Sequence, residues 1–254
     1  MGATPTQFAG IGDGLSLQNA EWETLGHTPE TKDEGTAGTV AIPDWMSRDA
    51  AKIARPDQPI APSKLGGAKA LPNDDALPEE QAKRRGRLLH KLLEHMPSRP
   101  PESWAAFADQ LLTSDSDAPD EALRSELISE ATALLQNPDL RHIFFDPNSL
   151  AEVGITSPLA PIGKNMMGYI DRLIISEDTV LAVDFKSNAG IPDSIEKTPK
   201  GILAQQAAYL LGLQQIYPDH AIEIAILWTR TGRIMTIPHN IAIKALDASQ
   251  HLDD

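Results

Sequence analysis

Asp171, Asp184 and Lys186 are the residues of this 254-residue chain whose types and spacing point most directly to chemistry. They lie in the stretch Met166–Lys186, where two runs rich in Ile, Val and Leu flank the polar break Ser176-Glu177-Asp178-Thr179. That is the pattern of a β-hairpin. A turn centred between Glu177 and Asp178 sets Asp171 opposite Asp184. Glu177-Asp178 is not the Gly- or Asn-containing pair that tight turns prefer, but a four-residue loop of the same centre keeps the pairing. Facing carboxylates have Cβ atoms about 4.5–5.5 Å apart and destabilise a sheet. At an effective dielectric near 20 they repel by roughly 3 kcal/mol. Protonation or a cation relieves that repulsion. Lys186, two residues beyond Asp184, shares its face; Leu181, Val183 and Phe185 alternate onto the other and can anchor the strand. Two carboxylates and an ammonium on an apolar hairpin suit a hard divalent cation beside a bound water.

The elements that must hold these groups follow from periodicity and punctuation. A helix is expected from Pro78 to Met96, with Glu79 and Glu80 in its first turn and Leu88, Leu92 and Met96 on one stripe. His90 stands at the margin of that stripe, one turn after Gly86. It reads either as a partly buried core histidine or as a metal or phosphate contact that Gly86 lets approach closely. Further helices are expected over Pro101–Leu112 and Asp120–Gln136, then a strand over Leu150–Thr156 that carries Glu152. Pro199 opens a helix running to about Ile216, on which Gln205 and Tyr209 share a face. Ile222–Thr229 and Arg233–Pro238 read as a second hairpin turning at Arg230-Thr231-Gly232, and a closing helix runs from His239 towards Leu252. This order implies an α/β domain over residues 81–254, a mixed central sheet flanked by helices. Residues 1–80, rich in Gly, Pro, Thr, Asp and Glu with isolated Trp22 and Trp45, read as a poorly structured arm or linker.

Composition narrows the chemistry. The chain has no cysteine, which removes disulfides, thiol nucleophiles and an iron–sulfur cluster together. There is no phosphate loop of the Gly-x-x-x-x-Gly-Lys-Ser/Thr type, so no ATP site is expected. No apolar run approaches the roughly 18–20 residues a membrane span needs; a cytoplasmic protein without a membrane partner is the expectation. The net charge is -14, awkward for a nucleic-acid protein whose affinity rests on basic patches. Lys83, Arg84, Arg85, Arg87 and Lys91 nevertheless crowd into nine positions and promise a locally positive field.

Together these pieces resemble the PD-(D/E)XK nuclease superfamily, with a restriction-endonuclease-like core, and look most like the nuclease domain of AddA- and RecB-type helicase–nucleases. The residues carrying the resemblance are Gly86-x-x-x-His90, Glu152, Gly168-Tyr-Ile-Asp171-Arg, Asp184-Phe-Lys186-Ser-Asn188, Gln205-x-x-x-Tyr209 and Trp228-Thr229. The resemblance implies catalytic Mg²⁺, with Mn²⁺ as a substitute, ligated by Asp171, Asp184, His90 and the backbone carbonyl of Phe185. Lys186 would orient or deprotonate the attacking water, and Glu152 would assist the metal or the water. Gln205 and Tyr209 would brace the site and touch the DNA strand, with Gly86 and Asn188 in support. It further implies single-stranded DNA ends as substrate in double-strand break repair, and a helicase motor and an AddB-type subunit as partners. Phe185 replaces the acidic residue of the superfamily tripeptide, and its side chain cannot ligate. A catalytically silent module that binds DNA or a partner subunit is the alternative.

Overall fold

The computed structural model describes residues 3–16, 43, 46, 58–67 and 78–249. The chain divides into two compact units, Met1–Ala54 and Arg55–Asp254. In the first, β1 (Thr4–Phe8) and β2 (Gly12–Ser16) form an antiparallel hairpin that the composition of this region did not announce. Trp22, Trp45 and the end of the expected closing helix fall outside the described residues.

The second unit opens with helices. α1 (Glu79–His95) begins after Pro78 and gives way at Pro97 to a short 3₁₀ turn. Leu88, Leu89, Leu92, Leu93 and Met96 are fully buried, each a gain of about 1.5–3 kcal/mol over exposure. α2 (Trp104–Thr113) and α3 (Glu121–Gln136) follow; the side chain of Asp120 caps α3 by accepting the Leu123 N–H at 2.9 Å. A short α4 (Arg141–Phe144) leads into β3 (Ser149–Leu159), β4 (Lys164–Ile175) and β5 (Thr179–Lys186). α5 (Lys200–Ile216) then crosses to β6 (Ala221–Trp228), which turns through Gly232 at φ 67° into β7 (Arg233–Thr236). α6 (His239–Ser249) closes the described chain.

The strands form one five-stranded sheet in sequence order, antiparallel except for the parallel pair β5–β6. One face packs on α5 and α6 through Ile170, Leu173, Val180, Ala182 and Ile224. The other packs on α1 to α4 through Ile174, Val183, Phe185, Ala225 and Leu227. This is the expected mixed α/β architecture, and the helices and strands fall within a few residues of their expected ends.

Residues 58–67 belong to the second unit. Ile60 pairs in parallel with Met166, donating its N–H to Asn165 O at 2.9 Å and accepting from Met167 N at 3.0 Å. It occupies the edge of β4 that β5 is too short to cover. Pro62 packs where a Cβ on Gly168 would collide with its ring at 2.8 Å.

Candidate metal centre

The hairpin has the expected register. Arg172 pairs with Val183 and Ile175 with Val180, which puts the turn between Glu177 and Asp178. Lys186 and Asp184 share the α5 face, and Leu181, Val183 and Phe185 pack on the opposite one.

Asp171 departs from expectation. The β4–β5 ladder ends at Arg172–Val183, so Asp171 and Asp184 occupy the next rung without pairing through the backbone. Instead Asp171 Oδ2 accepts the Phe185 N–H at 2.6 Å. On its other flank, the β3–β4 ladder pairs Ala151 with Arg172 and Val153 with Ile170, and skips Glu152 with Asp171. Ile170 and Leu173, three residues apart, both pack into the α5–α6 core, so the alternation of faces along β4 slips once between them. Asp171 stands at the slip, where an extended strand would have spent its carboxylate on one face only.

His90 comes from α1, its Nδ1 2.9 Å from Asp171 Oδ1 and its ring edge-on to Phe185 at 5.6 Å between centroids. His90, Glu152 and Asp171 each offer one ligand atom within 4.8 Å of the other two. An imidazole nitrogen and two carboxylates, half-buried, are a donor set suited to a divalent cation of the Mg²⁺ or Mn²⁺ kind. Three of the residues expected around the ion, His90, Glu152 and Asp171, thus lie together, with Asp184 and Lys186 on the adjoining strand.

Asp184 is committed to a second set. Its Oδ2 lies 2.5 Å from Lys186 Nζ and its Oδ1 accepts from Gln205 Nε2 at 2.9 Å. Gln205 Oε1 in turn accepts from Lys186 Nζ at 3.2 Å, and Gln205 Nε2 lies 3.3 Å from Tyr209 Oη. Tyr209 donates to the carbonyl of Tyr169 at 2.6 Å. Gln205 and Tyr209 thus share a helical face as expected, and that face braces the lysine. The two sets meet across a single peptide link, the Asp184–Phe185 bond whose N–H Asp171 holds.

Burial and neighbours separate the carboxyls electrically. Burial pushes Asp171 up, but the His90 charge and hydrogen bond, with Lys186, prevail and hold it below the usual carboxylate range. Burial, with Asp171 adding to it, raises Asp184 against the pull of Lys186. Glu152 is raised by burial and then by Asp171. Burial works to lower His90, yet Asp171 outweighs it and the imidazole is held above its ordinary value. Burial pushes the Tyr209 phenol far up, so it serves as a donor. Divergent pKa values among clustered acids are a mark of sites built for chemistry.

Gly86 makes room rather than contact: a Cβ there would lie 3.1 Å from Ser187 Oγ, directly after Lys186. Asn188 lies half-buried in the loop beyond it. Arg172, which the spacing argument passed over, is buried beside the site and donates from Nη2 to the Leu93 carbonyl at 2.6 Å; its place directly after Asp171 in the quoted motif was the available signal.

The basic cluster of α1 does not supply the positive field expected of it. Lys83 pairs with Glu79 and Glu80, Arg84 with Asp117, and Arg85 with Glu126 and Glu130. Arg87 pairs with Asp115 and Asp117, and Lys91 with Asp115. The sequence showed the cations together; Lys83 pairs within its own helix, and folding brought carboxylates to Arg84, Arg85, Arg87 and Lys91.

A family model described as the PD-(D/E)XK nuclease superfamily matches residues 44–251. Among curated proteins none matches the chain. A solved structure described as the crystal structure of SSO0001 is similar over 66% of this chain and 86% of its own, at 14% identity and TM-score 0.28; so slight a likeness carries no argument. No helix among the described residues is long and apolar enough to cross a membrane. The extent of the family match, on a mixed sheet that gathers Asp171, Asp184, Lys186 and Glu152 around one strand junction, places this chain in the PD-(D/E)XK nuclease superfamily.

Proposed function

We propose that this chain is a Mg²⁺-dependent deoxyribonuclease that hydrolyses phosphodiester bonds at single-stranded DNA ends during double-strand break processing. The observation that carries the reading is the Asp171–Phe185 link, which sets the cation-ready trio against the Asp184–Lys186–Gln205 set. A divalent cation held by His90, Glu152, Asp171 and Asp184, with the Phe185 carbonyl, would supply stabilisation of charge developing on the phosphoryl oxygens. Lys186, gripped by Asp184 and Gln205, would hold the attacking water and offset the charge of the scissile phosphate from its Nζ. Gln205 and Tyr209 would keep that ammonium aimed. The order of motifs from Gly86 to Trp228-Thr229 supports an AddA-like role, with a helicase motor and an AddB-type subunit as partners.

Purified protein incubated with end-labelled single strands should yield products with Mg²⁺ or Mn²⁺ and none with chelator. Asp184→Ala and Lys186→Ala should each abolish cleavage with the far-UV spectrum unchanged. Mg²⁺-dependent cleavage by the double variant would overturn the assignment. A second reading is a silent module that binds DNA or a subunit, motivated by the net charge of -14. Strand binding without products under both cations would select it.

A further inference from the structure

Tyr169 lies between two residues that face α5: Ile170 is buried in that core, and a Cβ on Gly168 would meet Pro62 and Tyr209. Tyr169 therefore projects from the opposite face of β4, and it is 58% exposed. Its cross-strand partner is Gly154. A Cβ there would already touch the ring at 3.5 Å, so glycine leaves the aromatic side chain room to settle against β3. Two residues along each strand, about 6.8 Å away, stand Asp171 and Glu152. In the other direction Met167 is 51% exposed opposite Thr156. Carboxylates, an aromatic ring and a thioether follow one another along one strand pair.

An exposed aromatic ring two residues from a cation-ready cluster is placed to touch what that cluster binds. A protein partner is disfavoured by size, because a stable interface buries upward of about 1,000 Å² and this patch is two side chains. The other large exposed hydrophobics of the unit stand apart: Leu150 lies beyond Glu152 and Ile216 ends α5. A flat ring two residues from carboxylates that would carry a phosphate-binding cation matches the separation of a nucleobase from its own backbone. The α1 cations are already paired within the chain, so phosphate contacts there offer little affinity and stacking must supply more of it. Every base has a π-face, which makes such a platform tolerant of sequence and selective for unpaired strands.

We propose that Tyr169 is the stacking platform for the base next to the phosphate that a divalent cation on Asp171 and Glu152 would hold, and that it gives the site its preference for single strands. The inference rests on the nuclease reading for its orientation, and its test reads binding rather than cleavage. In a Lys186→Ala background with Mg²⁺, fluorescence anisotropy compares oligothymidylate with an all-abasic strand of equal length. Tyr169→Ala should weaken oligothymidylate binding about 5- to 150-fold, leave abasic binding unchanged, and be rescued by Tyr169→Phe. Equal losses on both strands, or none on either, would overturn the platform. A base-dependent loss in a protein whose wild type never cleaves DNA would uphold the platform and overturn the nuclease reading instead.

Discussion

Glu152 and Asp171 face each other on β3 and β4 at the one rung their ladder omits, and Glu152 is the only described non-glycine residue with positive φ, at 49°. A left-handed backbone costs an L-residue about 1–2 kcal/mol. The slip that frees the Asp171 carboxylate from a regular strand is thus accompanied by strain on the strand beside it, and such strain is characteristic of functional sites.

Substitutions at this position should separate backbone from carboxylate. Glu152→Gly removes the strain but adds the entropy cost of glycine, about 0.5–1 kcal/mol, so its stability should stay within about 1 kcal/mol of wild type. Glu152→Gln keeps the strain. Both should lose Mn²⁺ affinity in titration calorimetry. Unchanged Mn²⁺ binding in both would remove Glu152 from the candidate metal centre.

Tyr209→Phe should destabilise the protein by about 1 kcal/mol, since the carbonyl of Tyr169 loses its donor. Gln205 loses a neighbour in the same step, so Lys186 should be held less firmly and turnover should fall while strand affinity stays. Urea titration and steady-state cleavage read the two effects. An unchanged midpoint would show that the hydrogen bond at 2.6 Å contributes nothing.

Asp115 gathers Lys91, Arg87 and the Asp117 N–H, with its side chain 5% exposed. Its Lys91 hydrogen bond above all holds its carboxyl far below the ordinary value of 3.8. A depressed folded pKa contributes stability that is fully present above the unfolded value and lost as pH falls through the folded one. Asp115→Asn should therefore cost about 0.5–1 kcal/mol at neutral pH, shrinking below about pH 4. Equal destabilisation at pH 7 and in strong acid would contradict this.

Strand binding should depend only weakly on salt. The affinity of single strands falls with log salt at about -0.7 per phosphate neutralised, and the α1 cations already have carboxylate partners. With no more than about two phosphates neutralised, the slope should be no steeper than about -1.4. A slope beyond about -3 would mean that the basic cluster opens to the DNA.

Much of this was legible before folding. The Leu88–Leu92–Met96 stripe, the proline boundaries and the alternation through Val183 and Phe185 are local patterns, and each led to the right element. The hairpin centre alone placed Asp171 and Asp184 opposite each other on one rung. The hairpin at Thr4–Ser16 and the strand-like seat of Ile60 carried no comparable periodicity and went unread.

Residue order thus determined the elements, their faces and the identity of the chemical groups, because backbone sterics and hydrophobic alternation act over a few residues. Tertiary contact decided the rest. At Asp171 the β4–β5 ladder stops after Arg172–Val183 although β5 runs on to Lys186 against β6, and the Phe185 N–H is satisfied by the Asp171 side chain. His90 reaches Asp171 only because α1 packs across the sheet, and Arg84, Arg85, Arg87 and Lys91 are neutralised by carboxylates 24 to 45 residues away. Interactions between groups so distant in sequence depend on how the layers pack, which no local spacing encodes.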